Sequence, residues 1–329
     1  MSKLVTIYGG SGFVGRYIAR RMAKEGWRVR VAVRRPNEAM HVKPYGVPGQ
    51  VEPVLCNIRD AGSVAAVMQG ADAVVNCVGV LNAYGKNTFS AVQAEGAARV
   101  AQIAQSQGIG QLVHISALGA DPQGVSEYAR TKAQGEAAVL AAFPDAVILR
   151  PSVIFGAEDQ FFNRFAGMAS LSPVLPIAKG KTLFQPVYVD DVARAAVMGV
   201  LGEAKPGIYE LGGPEVKSFA ALMKQMCDVI LRRRLVLSLP GFSAWPIAFG
   251  FDMLQTISLQ LIENKVLTRD QLKNLGRDNV VSDGALGFVD LGITPEMLGP
   301  ILPSYLWKFR PSGQYDEMTA SARNLKGDT

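Results

Sequence analysis

Residues 8–21 read YGGSGFVGRYIARR, and an apolar run, LVTIY (4–8), leads straight into them. Gly9, Gly12 and Gly15 stand at GxxGxxG spacing, with Gly10 filling the turn. Each place asks for a residue without a side chain. The strand must turn tightly, the backbone must approach a pyrophosphate closely, and the following helix must pack near the strand. The amino terminus of that helix, with Phe13 and Val14 in its first turn, offers unsatisfied N–H groups and partial positive charge to phosphates. A glycine-rich turn can serve packing alone. Its place between a leading strand and an amphipathic helix favours a dinucleotide site.

Working outward, the first half of the chain alternates apolar runs with helical patterns. VRVAV (29–33), VEPVLCNI (51–58), ADAVVNCVG (71–79), QLVHIS (111–116) and AVILR (146–150) read as strands too apolar for one solvated face. Helical stretches fall at 12–26, 63–69, 89–107 and 126–143. This rhythm predicts an α/β chain: a doubly wound parallel sheet of the Rossmann kind with a smaller mixed carboxyl-terminal domain. The expected division is a nucleotide-binding domain over 1–157, to which 185–231 return. A smaller docking domain takes 158–184 and 232–310, and a polar tail takes 311–329.

The end of the second strand speaks to which dinucleotide is held. A site for a plain ribose usually carries an acidic residue about twenty positions past the last glycine. Arg34 and Arg35 stand there instead. Two guanidiniums suit a 2′-phosphate and leave the hydroxyl without its carboxylate, so the reading favours NADP(H) over a merely solvated charged loop. Further cofactor contacts are expected from Asn57 and Ile58 (adenine), from Cys77, Val78 and Gly79 (ribose and pyrophosphate), and from Pro151.

SEYARTK places Tyr128 and Lys132 four apart on one helix face, twelve residues after Ser116. An ammonium beside a phenol would lower its pKa, so the tyrosine could trade a proton with a carbonyl or alcohol while the serine held the substrate oxygen. An exposed tyrosine–lysine pair with no chemistry is the alternative, and position after the fifth strand argues for a site.

Composition narrows the rest. The 329 residues carry a net charge of +6, with a basic knot at Arg232, Arg233 and Arg234, and no nucleic-acid motif accompanies it. Cys56, Cys77 and Cys227 show no CxxC spacing and read as small core residues in a reduced compartment. Only His41 and His114 are present, too few for a histidine-based metal site or a Ser-His triad, and no metal is expected. Met1, Ser2 and Lys3 lead directly into the first strand, so no secretory leader is expected. The apolar run 235–251, broken by Pro240 and Pro246, is too short to span a bilayer. It suits either internal packing or, with Trp245 behind the basic knot, a lipid or protein contact. ILPSYLWKF, with Tyr305 and Trp307, has the makings of a similar anchor.

GGSGFVG, NCVGV, Ser116, YARTK and RPSVIFG resemble the short-chain dehydrogenase/reductase superfamily in its extended and atypical forms. RPSVIFGAEDQFFNRFA (150–166), QPVYVDDVARA (185–195), YELGGPEV (209–216), LTRDQLKNLGRDNVVSDGALGFVDLGI (267–293) and ILPSYLWKFRPSGQYD (301–316) resemble one branch of it. That branch is the nucleotide-binding accessory subunit of respiratory complex I (NADH:ubiquinone oxidoreductase), in its alphaproteobacterial form. The resemblance covers almost the whole chain. It implies a tightly held, structural NADPH, with Tyr128 and Lys132 gripping the nicotinamide ribose rather than turning it over. It also implies other complex I subunits of the peripheral arm and quinone region as partners, and a peripheral place on the cytoplasmic face of a bacterial inner membrane. Ser116, Tyr128 and Lys132 all survive in form, which keeps a free NADP(H)-dependent reductase or epimerase, or a redox sensor, as alternatives.

Overall fold

The computed structural model describes residues 2–239 and 269–315. Seven strands make one parallel sheet: β1 (Leu4–Tyr8), β2 (Arg28–Val33), β3 (Val51–Leu55), β4 (Ala73–Asn76), β5 (Gln111–Ile115), β6 (Val147–Pro151) and a late strand, Gly207–Leu211. The spatial order is late strand, β6, β5, β4, β1, β2, β3. Strand order reverses between β1 and β4, and the crevice beyond their carboxyl ends is where such sheets bind ligands.

LVTIY is buried at all five positions, so it shows no polar alternation. Val5 and Ile7 face one layer, with Ile18, Ala19 and Met22 of helix α1 (Phe13–Lys24) and Val192 and Ala196 of the helix Val189–Leu201. Tyr8 faces the other, packed with Val64 and Met68 of α2 (Ala61–Met68) and Val100 of α3 (Glu95–Ser106). Two polar side chains on that side are matched. Thr6 Oγ1 donates to the Val67 carbonyl at 3.0 Å and the Tyr8 hydroxyl to the Val64 carbonyl at 2.7 Å. Left unpaired, each would cost about 1–3 kcal/mol. The buried positions of α1 recur at helical spacing, which presses its apolar stripe onto the sheet. Ser126 caps α4 (Glu127–Ala142) by accepting the Ala129 N–H at 3.0 Å, and this fixes Tyr128 in the first helical turn.

A second core gathers Phe155, Phe162, Phe219, Leu222, Met226 and Leu302. The helix Phe219–Val229 packs into this second core rather than onto the sheet. Its Phe219 stacks among Phe161, at 5.6 Å between ring centres, and Phe165, at 5.3 Å, because its apolar stripe matches that aromatic cluster. In the opposite sense, Phe288, Leu291 and Ile293, assigned to the smaller domain, sit in the sheet's own core. They cover the free edge of the late strand, where the Glu210 N–H donates to the Leu286 carbonyl at 2.8 Å.

Tyr305 is not a surface anchor. It is 6% exposed and its hydroxyl donates to Asp159 at 2.6 Å, whereas Trp307 keeps 39% of its surface exposed. Of the apolar run, Leu235–Leu239 forms a strand parallel to Val174–Ala178. Residues 240–251, Trp245 included, and the tail after Tyr315 lie outside the described residues. No helix among the described residues is long and apolar enough to cross a membrane.

Candidate dinucleotide-binding site

The glycine turn is built as its spacing demands. Gly9 takes φ +75°, a conformation side chains rarely adopt, and its N–H is tied to the Ala32 carbonyl of β2 at 2.9 Å. Gly12 caps α1 with no side chain to meet the first N–H groups, so that end of the helix stays bare. A Cβ on Gly15 would lie 2.4 Å from the Gly9 carbonyl oxygen and 2.7 Å from Gly10 Cα, so helix and turn are in backbone contact.

A cavity of about 290 Å³ opens there, at the carboxyl ends of β1, β4 and β5. Gly9, Gly12, Phe13, Val14, Gly15, Cys77, Gly79 and Tyr128, all anticipated, line it. Val80, Leu81 and Ile115 line it too and were not anticipated. Their signal was present, since they directly follow Gly79 or end the strand before Ser116. Cys77 is a cavity wall rather than a core filler, while Cys56 and Cys227 are buried.

The remaining expected contacts are not among the residues lining this cavity, although Val78 lies against Gly9 and Lys132 against Gly79. Arg34 and Arg35, just past β2, are exposed. Arg35 pairs with Glu38 at 2.9 Å, and Arg34 has no polar side-chain partner among the described residues. Asn57 accepts the Arg59 N–H at 3.2 Å, and the carbonyl of the buried Ile58 holds Arg99 at 2.8 Å. The Val78 N–H donates to Asn76 Oδ1 at 3.1 Å, and the Pro151 carbonyl accepts the Leu118 N–H at 2.9 Å.

Of the expected set, Tyr128 lines the cavity, whereas Lys132 and Ser116 are bonded to other groups. The Lys132 ammonium donates to the Ile115 carbonyl at 3.2 Å. The Ser116 hydroxyl donates to Glu136, which also holds Arg150 through two bonds, at 2.9 Å and 2.5 Å. Arg150 reaches Glu210 as well, at 3.4 Å. Ser116 is thus committed to a buried ionic cluster instead of the cavity. Nor does the lysine lower the tyrosine: burial pushes the Tyr128 phenol up to about 12. Burial draws Lys132 down to about 8, opposed by the carboxylate of Glu136 and by Cys77.

Beside this group, His114 is 1% exposed and its Nε2 has no partner among the described residues, while Nδ1 meets Asn76 Nδ2 at 3.2 Å. Burial, and then the Lys132 charge, hold its pKa down at about 3, so the ring is neutral in the fold. The folded value lies below the unfolded one, so stability is full above about pH 6.5 and is lost as pH falls. A His114→Gln variant should be spared about 2 kcal/mol of the destabilisation the unmutated chain suffers at pH 5, read from denaturant melts at pH 7 and pH 5. Equal losses in both would contradict a buried neutral histidine.

The sheet order, the bare helix end and the glycine turn define a dinucleotide-binding protein of the extended short-chain dehydrogenase type. The chain belongs to the NAD dependent epimerase/dehydratase family, which matches residues 5–212. Its homologues at nearly full length are complex I subunits. One, from Arabidopsis thaliana, is called "NADH dehydrogenase [ubiquinone] 1 alpha subcomplex subunit 9, mitochondrial". It is 35% identical over 97% of this chain and 81% of that protein. A ceramide reductase of Caulobacter vibrioides is 33% identical over 59% of this chain and 60% of that protein. Among solved structures, that of gox2253 superposes with a TM-score of 0.70 at 22% identity, covering 95% of this chain and 99% of the other.

Proposed function

We propose that this chain is an NADPH-binding accessory subunit of complex I, peripheral to the membrane and close to the quinone region, in which the nucleotide is held and not turned over. The reading extends to a bacterial inner membrane, with the chain on its cytoplasmic face. The residues fit the group. The uncapped start of α1 offers N–H donors to a pyrophosphate, and Gly9, Gly12 and Gly15 let the backbone come close. Gly79 leaves room beside the Lys132 ammonium, since a Cβ there would meet Nζ at 3.4 Å. Arg34 and Arg35 supply charge for a 2′-phosphate past β2. When bound, such a nucleotide supplies hydride-transfer capacity.

One observation carries the holding role: the glycine turn opens on a cavity while the Ser116 hydroxyl is diverted to Glu136. Tyr128 reaches the cavity as a neutral phenol, able to hold a ribose, while the Ser116 hydroxyl that a proton relay would use is bonded to Glu136. Similarity over 97% of the chain to a complex I subunit supports the assembly. The second reading is a free NADP(H)-dependent reductase or epimerase, favoured by the ceramide reductase likeness and by Tyr128 at the cavity wall. Purification in mild detergent separates the two. Recovery with respiratory subunits at fixed stoichiometry is expected, and recovery as a monodisperse free enzyme would defeat the proposal.

A further inference from the structure

Lys132 and Glu136 lie one turn apart on α4 and grip consecutive residues of the chain leaving β5. The ammonium donates to the Ile115 carbonyl at 3.2 Å, and the carboxylate accepts the Ser116 hydroxyl. Ile115 lines the cavity, and Gly79, another wall residue, abuts the ammonium. Lys132 and Glu136 are 5% and 3% exposed, so neither charge is eased by bulk water. Resting on the proposed nucleotide-holding role, we propose that Glu136 is a positioning residue for the nucleotide. Its carboxylate, clamped by Arg150 and Ser116, keeps the Lys132 ammonium protonated directly behind the wall residues Gly79 and Ile115, so that a cation backs the bound anion.

Among the described residues around the ammonium, Glu136 is the leading group in that task. Just past β4, Cys77 presents a thiol that burial pushes up to about 12, hence a neutral group. From β5, His114 is neutral. On α4 itself Tyr128 is a neutral phenol. The residues before α3 contribute Gln93, which is uncharged and accepts the Thr131 hydroxyl at 3.0 Å. Asp270, packed on the amino end of α4, is committed to the N–H groups of Glu127 and Tyr128 at 2.8 and 3.2 Å. Arg150 of β6 lies beyond Glu136 and is shared with Glu210. Burial already pulls Lys132 down to about 8, and Glu136 is the leading opposing influence. Without that carboxylate the lysine would shed its proton nearer neutrality.

The test is the affinity of the full chain for NADPH between pH 6 and pH 9.5, with Glu136→Gln, Glu136→Asp and Glu210→Gln beside the unmutated protein. Unmutated affinity should hold a plateau and then fall as pH rises through about 8. In Glu136→Gln the fall should begin about one pH unit lower or more, so that binding at pH 8 is about tenfold weaker than at pH 6. Glu210→Gln removes an equal charge from the far side of Arg150 and should leave the midpoint in place, as a purely structural role for the cluster would not require. Should Gln at 136 leave the chain insoluble, Glu136→Asp draws the charge back by one methylene and should move the midpoint the same way by less. An unmoved midpoint in the soluble Glu136 variants, with NADPH still bound at pH 6, overturns the role of Glu136 alone. No NADPH binding by the unmutated chain at any pH overturns it together with the proposed function.

Discussion

Gly15→Ala is expected to abolish nucleotide retention and to destabilise the chain. The added Cβ would lie 2.4 Å from the Gly9 carbonyl oxygen and 2.7 Å from Gly10 Cα. Both are backbone atoms of the turn, so no flexible side chain can swing away. The turn itself is pinned, because Gly9 donates to Ala32 of β2 at 2.9 Å and Gly12 donates back to Gly9 at 2.9 Å. Relief therefore requires α1 to lift from the sheet, against the packing of Ile18, Ala19 and Met22. Overpacking of this kind costs about 1–3 kcal/mol, and the helix end would no longer face the cavity. NADPH affinity should fall at least about a hundredfold, equivalent to about 2.7 kcal/mol. Gly12→Ala makes the milder comparison, since its Cβ would meet one atom, the Gly9 carbonyl oxygen, at 3.1 Å. A Gly15→Ala protein that keeps full stability and its nucleotide would show that the turn is not the cradle.

Replacing Arg34 and Arg35 with glutamine should weaken NADPH binding about a hundredfold while changing NADH binding little. A 2′-phosphate gains charge-assisted bonds from guanidiniums worth about 1.5–3 kcal/mol each, and a plain hydroxyl gains none of them. The two arginines are not equivalent. Arg35 is partly neutralised by Glu38 at 2.9 Å, whereas Arg34 has no such partner among the described residues. Arg34→Gln alone should therefore carry most of the loss. Isothermal titration with both nucleotides decides it, and equal weakening for NADH and NADPH would remove the phosphate role from these residues.

The glycine turn was legible because its requirements are local. A turn that must admit a backbone approach writes glycine at fixed spacing, and LVTIY declared a strand covered on both faces. Packing partners were less legible. Phe219 and Leu222 carry an ordinary helical stripe, and nothing in that stripe says which of two cores receives it. The same holds for Phe288 and Ile293, whose place is set by the open edge of a strand about eighty residues earlier in the chain. The fate of Ser116 was hidden for a related reason. Its partner Glu136 is visible in the sequence as a residue one turn past Lys132, but Arg150 and Glu210 join it only once β6 and the late strand lie side by side. The lysine's influence on Tyr128 failed as an expectation because burial, which sequence spacing does not report, outweighs it.

The most direct measurement is the identity and amount of nucleotide released when the protein, purified with whatever chains accompany it, is denatured and its supernatant resolved by mass spectrometry. The account expects the phosphorylated form, NADPH or NADP, at about one per chain, released alongside respiratory subunits. Release of NAD or NADH in that amount, or of no dinucleotide at all, would contradict it.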